Sequence, residues 1–501
     1  MVEVTASPEG VSLMVTLFLL VALLVWLPLA FAILSKRPLV VLLIWLVLGP
    51  VISNVVKWPG ANPFFWTGPE SDKEGGYLTL PSTVTLEELL EPTRLVIVTL
   101  LALIILQAIV ARKEPQPLDR TEKAMVFFSI LLVFSSVIFS NRMLFGLRIT
   151  IDVFLVPFLG YYLGRRFIRS EKQYWMLNRA MVYLGLLVIV TCAAERLVNT
   201  QLFYRLKGPF MQGAQRGSSI LHIVVVVIFF AVLLDAITTR RDRSHLPAAK
   251  KEIRTLIILS MPLVILLTWS RGNWLGLVVA LWAFILLGRR LMAPSQRMAI
   301  AGLTFIILPL IILGVLRMES SAVVSQRIGN VENVTGRLAT WKVVADRAME
   351  NPVLGIGLND TRDVLGRASS QSNVTVYSTV HNSYLTLFTE LGLVGVLSYL
   401  AILISLGHSG WVLYRRGKGP RERWRGITVL AVLLGYQLPG LFANTVQMFG
   451  FGHLLVFVFL GGLVGATLRP ENLLAPGLAL VRTRTGRLMQ TPPRVREVRF
   501  S

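Results

Sequence analysis

Runs of about 20 apolar residues recur along almost the whole chain, and that recurrence decides the fold class. A helix needs roughly that length to cross the hydrocarbon of a bilayer. The runs are continuous and do not alternate with polar residues, which argues against a transmembrane β-barrel. About thirteen candidate spans are legible, near 12–34, 38–56, 95–111, 124–140, 149–164, 180–198, 217–238, 255–270, 272–288, 298–316, 388–407, 427–446 and 449–467. The number falls to twelve if the first does not cross. The fifth and eighth are short enough to be tilted or partly re-entrant. Composition agrees: of 501 residues, 54% are hydrophobic and 15% charged, with a mean hydropathy of +0.66. A soluble chain of this size has no interior large enough for so much apolar surface. The expectation is an all-α, polytopic integral membrane protein. Residues 1–10 carry Glu3 and Glu9 and no basic residue, so the first apolar run reads as a retained helix and not a cleaved signal.

Lysine and arginine placement sets the orientation. With the connections after the odd-numbered spans and the C-terminal tail taken as cytoplasmic, about two-thirds of the 50 basic residues fall inside, as the positive-inside rule requires. Short connections such as Arg240-Arg241-Asp242-Arg243 and Arg415-Arg416-Gly417-Lys418 carry the bias. The net charge of +23 is therefore read as a topology signal that meets anionic lipid headgroups, not as a nucleic-acid surface. The tail beyond Arg469, with Arg482, Arg484, Arg487, Arg494, Arg496 and Arg499, is expected to be disordered and lipid-facing. The single cysteine, Cys192, lies in a predicted span and leaves no disulfide or thiolate metal site.

Two hydrophilic signatures interrupt the apolar runs. Ser270-Arg271-Gly272-Asn273-Trp274-Leu275-Gly276 forms the outer tip of the hairpin between the eighth and ninth spans. An arginine there costs several kcal/mol unless it faces protein, water or an anion, so Arg271 is a functional candidate. His381-Asn382-Ser383-Tyr384-Leu385 closes the loop of 317–387, which this topology places on the same side. Asp152, Glu195, His222 and His453 fall toward that side as second-tier candidates, whereas His245 and His408 fall on the cytoplasmic side.

Within the loop, Trp341, Val344, Ala345 and Ala348 recur at helical spacing, Arg337 sits one turn earlier on the same face, and Asn351-Pro352 stops the helix. Gly355-Ile356-Gly357 reads as a tight turn and not a nucleotide fingerprint, because no strand precedes it and the third glycine is missing. No Walker motif, metal-ligand cluster or serine-nucleophile elbow is present, so neither metal nor cofactor is expected.

These pieces resemble the bacterial O-antigen ligase and O-antigen polymerase group of membrane glycosyltransferases. The resemblance rests on Thr268-Trp269-Ser270-Arg271-Gly272 with Trp274-Leu275, on Arg337-x3-Trp341 followed by Asn351-Pro352-x2-Gly355-x-Gly357, and on His381-Asn382-x-Tyr384-Leu385 through Glu390-Leu391-Gly392. It spans roughly residues 255–405. Arg205-Leu206-Lys207-Gly208-Pro209-Phe210 resembles a glycine-phenylalanine segment of the family, without its asparagine-rich continuation. The resemblance implies an N-terminal transmembrane region (1–254), a catalytic transmembrane region (255–467) that contains the periplasmic loop 317–387, and a cytoplasmic tail (468–501).

The resemblance further implies that the chain works in the bacterial inner membrane. There it transfers a glycan from undecaprenyl diphosphate to a glycan or lipid A-core hydroxyl on the periplasmic face, without metal or nucleotide sugar. Arg271 and His381 are then the catalytic pair. Arg337, Arg205, Lys207, Arg216, Asn382 and Tyr384 are candidates for binding diphosphate or substrate. Guanidinium groups hold a diphosphate bidentately and keep their charge at any working pH, and a neutral His381 can take the acceptor's proton. Polymerase is taken ahead of ligase. Partners would be the lipid-linked donor, the acceptor, membrane lipids and other polysaccharide assembly proteins. A small-anion transporter and a non-catalytic assembly scaffold stand as alternatives.

Overall fold

A computed structural model describes residues 37–55, 92–110, 117–141, 143–199, 206–210, 214–241, 248–268, 270–298, 300, 302, 331–371, 380–442, 450–466, 481–482 and 488–489. The first expected span (12–34) lies outside these residues, as does almost all of the tenth (298–316). The helices, in chain order, are α1 (Pro38–Val55), α2 (Pro92–Val110), α3 (Arg120–Ile138), α4 (Met143–Phe167), α5 (Glu171–Val198), α6 (Ala214–Arg241), α7 (Lys251–Leu266), α8 (Arg271–Gly288), α9 (Val331–Glu350), α10 (Thr361–Gln371), α11 (Ser383–Arg416), α12 (Pro420–Gln437) and α13 (Gly450–Gly465). Five segments among the described residues are long and apolar enough to cross a membrane: α3, α4, α5, Ile220–Thr239 of α6, and α11. Apolar stretches of α1, α2, α8 and α13 are shorter. The protein is an all-helical, polytopic membrane protein, apart from the two-residue strands Val481–Arg482 and Leu488–Met489 that pair antiparallel in the tail.

Several expected boundaries move. The fifth span is not short: it belongs to the 25-residue α4, which runs through a π-turn at Thr150–Leu155. The eleventh starts earlier, at Ser383, because Asn382 caps α11 by accepting from the backbone N–H groups of Tyr384 and Leu385 at 3.1 and 3.0 Å. The twelfth stops at Gln437, where Pro439 turns the chain into the 3₁₀ segment Leu438–Leu441.

Helix α6 is the centre of the bundle, with 94% of its spanning window buried. α4 and α13 approach until backbones touch. A Cβ on Gly164 would lie 2.4 Å from the Val458 carbonyl oxygen, and one on Gly461 2.3 Å from that of Tyr161. Gly160 and Gly164 on one helix, and Gly461 and Gly465 on the other, are the i, i+4 small residues that let membrane helices pack this closely.

Charged side chains pair with one another toward the two ends of the bundle. At the end carrying the starts of α3, α5 and α12, Arg165 donates to both Glu122 carboxylate oxygens at 2.9 Å, and Arg425 donates to both of Glu171 at 2.8 Å. At the opposite end, Arg94 holds Asp152 bidentately, with one contact at 2.6 Å. A charge taken from water is costly unless paired in this way, so the ion pairs mark depth as well as contact.

Candidate functional site

The first signature builds a rigid corner. Thr268 Oγ1 donates to the Ile265 carbonyl at 2.7 Å, and the indole of Trp274 donates to the same oxygen at 3.0 Å. The same carbonyl also accepts from the Thr268 backbone N–H at 3.1 Å, so these three donors converge on the end of α7. Ser270 then takes the N-cap position and Arg271 opens α8. The corner thus sets Arg271 as the first residue of an 18-residue helix, at its positive end.

The second signature is built against the loop. His381 is left-handed, with φ +52°, which swings the chain into the start of α11. The residue before it, Val380, accepts a hydrogen bond of 2.7 Å from the Trp341 indole. Trp341 sits with Val343, Val344, Leu365, Val380 and Leu385 in a small apolar cluster that joins α9 and α10 to α11. Arg337, one turn before Trp341, is exposed and forms no ion pair among the described residues. Its charge reaches His381: burial first, and Arg337 second, push the imidazole pKa down to about 4. His381 is therefore neutral at ordinary pH.

A backbone clasp locks this arrangement. Ile356 and Gly357 N–H groups donate to the carbonyls of Thr389 and Glu390, at 2.9 and 3.1 Å. Leu393 and Val394 N–H groups return bonds to Pro352 and Val353 at 2.8 and 3.2 Å. Gly392 breaks the helix here with φ +62°, and a Cβ on it would lie 2.2 Å from the Val353 carbonyl oxygen. The Gly-x-Gly turn and the Glu-Leu-Gly element are two halves of one joint. On the far side of the turn, Asp360 accepts from Asn141 Nδ2 at 2.8 Å and from its backbone N–H at 3.0 Å, tying the loop to the α3–α4 connection.

The two signatures meet across the turn after α12. A Cβ on Gly276 would lie 2.9 Å from Pro439, and one on Gly272 3.4 Å from Phe442. From the other side, the Tyr384 hydroxyl donates to Gln437 Oε1 at 3.1 Å, and Gln437 Nε2 donates to the Tyr399 hydroxyl at 2.9 Å. The segment 437–442 is thus a wedge between the start of α8 and the start of α11. Gln437 was not legible as a site residue: it sits in an apolar run with no motif around it, and only its partners give it meaning.

The remaining candidates separate. Lys207 lies in a turn held by Glu195, whose Oε2 accepts from the backbone N–H groups of Lys207 and Gly208 at 2.9 and 2.8 Å. Leu206 N–H donates to Leu267 O at 3.3 Å, so this turn borders the α7–α8 corner. Arg205 lies outside the described residues, and Arg216 falls in the first turns of α6. Asn382 is engaged in capping and Tyr384 in the Gln437 contact. The second-tier residues have structural partners: Asp152 pairs with Arg94, His453 Nδ1 lies 3.2 Å from the Val153 carbonyl, and His222 Nε2 lies 3.1 Å from that of Gly435. His245 lies outside the described residues. Among the described residues, no group of three or more His, Cys, Asp and Glu side chains is placed to hold a metal ion.

Fold and site together define a polytopic helical membrane protein whose loop helices are clamped over one end of the bundle beside a neutral histidine. Residues 256–400 match the family model described as O-antigen ligase, so this stretch of the chain is similar to that family. That segment begins in α7 and ends in α11, so it contains the corner, the clasp and His381. Comparison with curated proteins found no match.

Proposed function

We propose that this protein is an inverting, metal-independent glycosyltransferase. It moves a glycan from undecaprenyl diphosphate to an acceptor hydroxyl at the periplasmic face of the bacterial inner membrane, with its C-terminus cytoplasmic. The acceptor oxygen attacks the anomeric carbon while the bond to the diphosphate breaks. The acceptor's proton passes to the His381 imidazole, and the electron pair of the broken bond leaves with the diphosphate. Arg271 and Arg337 hold that growing negative charge as fixed cations, which is the work a divalent ion does elsewhere. Arg205, Lys207 and Arg216 add positive potential where the donor arrives, and Asn382 and Tyr384 fix the segment that presents His381.

The observation that carries the reading is the neutral, half-buried His381 beside the exposed guanidinium of Arg337. A general base must be unprotonated before the reaction, and a diphosphate clamp must be open to its ligand. A bound diphosphate would also offset the charge of Arg337 and raise the basicity of His381 when it is needed.

Complementation of a deletion strain tests it, with wild type, Arg271→Ala or His381→Ala at matched membrane levels and lipid-linked intermediates resolved by size. Single repeat units accumulating on the carrier in both variants identify a polymerase, the version we favour. Long lipid-linked chains that fail to reach their acceptor identify a ligase. Normal polysaccharide in both variants sinks the transferase reading.

A further inference from the structure

The loop turn Asn351–Gly357 exposes apolar side chains where water would not favour them. Val353 is 58% exposed and Leu354 38%, and Met349 one turn earlier is 67% exposed. Their neighbours are the lipid-facing flanks of spanning helices. Through the backbone clasp, Val353 lies alongside Leu393, which is 50% exposed, with Leu397 one turn deeper at 56%. On the other side, a Cβ on Gly357 would lie 2.7 Å from the backbone of Phe139, just past Val137 and Ile138, both exposed at the end of α3.

The length of α11 places this turn at the membrane boundary. Gly392 lies about 36 Å along α11 from Arg416, and Leu397 about 28 Å, at 1.5 Å per residue. A hydrocarbon core of about 30 Å measured from the Arg415–Arg416 pair therefore ends between Leu397 and Gly392. Helix α3 starts beside Ser405, where Thr121 Oγ1 lies 2.8 Å from the Ser405 hydroxyl, and its last residues reach the loop turn, because a Cβ on Gly357 would meet the Phe139 backbone.

We propose that residues 349–354 are an interfacial anchor, with Met349, Val353 and Leu354 inserted among the acyl chains of the leaflet at the loop end. The occupant of this surface is bilayer lipid, because the patch continues the lipid-facing flanks of α3 and α11 without a break. The exposed Arg347–Glu350 ion pair sits beside it, as charged groups do at headgroup depth. The anchor holds α9, and with it Arg337 and His381, at the level where a lipid carrier's diphosphate travels.

The test is a depth measurement that needs no activity. In a Cys192→Ala background, Val353→Cys, Leu354→Cys, Leu393→Cys and Lys342→Cys are labelled with an environment-sensitive fluorophore. The full chain is placed in nanodiscs of phosphatidylethanolamine and phosphatidylglycerol. We expect probes at 353 and 354 to show blue-shifted emission and quenching by lipids spin-labelled near the headgroup, matching the probe at 393, with the probe at 342 unquenched. Water-like, unquenched emission at both 353 and 354 overturns the proposal. So does equal quenching at 342, which would mean that the whole loop lies in the interface without a specific anchor.

Discussion

The indole of Trp341 donates a 2.7 Å hydrogen bond to the carbonyl of Val380, the residue immediately before His381. One contact thereby couples the helix that carries Arg337 to the position of the histidine. Trp341→Phe keeps the ring and removes the donor, leaving that carbonyl without its partner. We expect a stability loss of about 1–2 kcal/mol and a transfer rate lowered by about tenfold or more through misplacement of His381. Thermal unfolding in detergent and transfer to a defined acceptor check the two effects separately.

His381→Ala is expected to reduce transfer by about 10²- to 10⁴-fold, the usual contribution of a positioned base. Donor binding should persist, because Arg271 and Arg337 remain. Loss of both binding and turnover would instead make His381 a substrate ligand, and a donor-binding assay on purified protein separates the two.

The pH dependence has a definite sign. His381 titrates near 4 in the folded protein, below its ordinary value of 6.5. Above about pH 6.5 it is neutral in both folded and unfolded chains and contributes no slope. As pH falls from 6.5 toward 4, the unfolded chain binds a proton that the folded one refuses, so stability declines across that window. His381→Gln should flatten this part of the profile. For kcat/KM, which reports the free protein, the acid limb should lie near pH 4 and move upward in Arg337→Gln, because one of the two causes is removed.

Gln437→Leu leaves the Tyr384 and Tyr399 hydroxyls without their shared amide. A cost of about 1–3 kcal/mol is expected, with kcat/KM down by about 10- to 100-fold. Gln437→Glu, which retains an acceptor for both hydroxyls, should recover part of the activity. A merely structural role for Gln437 would lower stability and leave kcat/KM unchanged.

Gly392→Ala places a methyl group against the Val353 carbonyl at a positive φ. The expected penalty is about 2–4 kcal/mol, concentrated on loop docking. Limited proteolysis between 351 and 371 should appear in the variant before the bundle itself opens.

The bundle was legible because apolar length is a coarse signal that survives without partners. The expected span 272–288 matches α8 almost residue for residue, since Arg271 and the basic pair Arg289-Arg290 bracket the apolar run. The fifth expected span, 149–164, stops short at Arg148, whereas α4 continues through that residue to Met143, with Asp152 of the same helix paired to Arg94. The loop helix announced itself through Trp341, Val344 and Ala348, and the fold extends it back to Val331. What the sequence left unread are relations between distant backbones. No spacing rule ties Pro352 to Leu393, or Gln437 to Tyr384, because those bonds depend on where helices are packed.

The clasp between 352–357 and 389–394 has a practical consequence. It is made of amide and carbonyl groups, so it recognises the path of the chain and ignores most of the side chains on it. Only its glycines are committed. Within the clasp itself, side chains can change so long as the path of the chain is kept, whereas Trp341, Val344 and Asp360 dock the rest of segment 331–371 through their side chains. The clasp therefore constrains the backbone at 352–357 and 389–394 more tightly than it constrains sequence there.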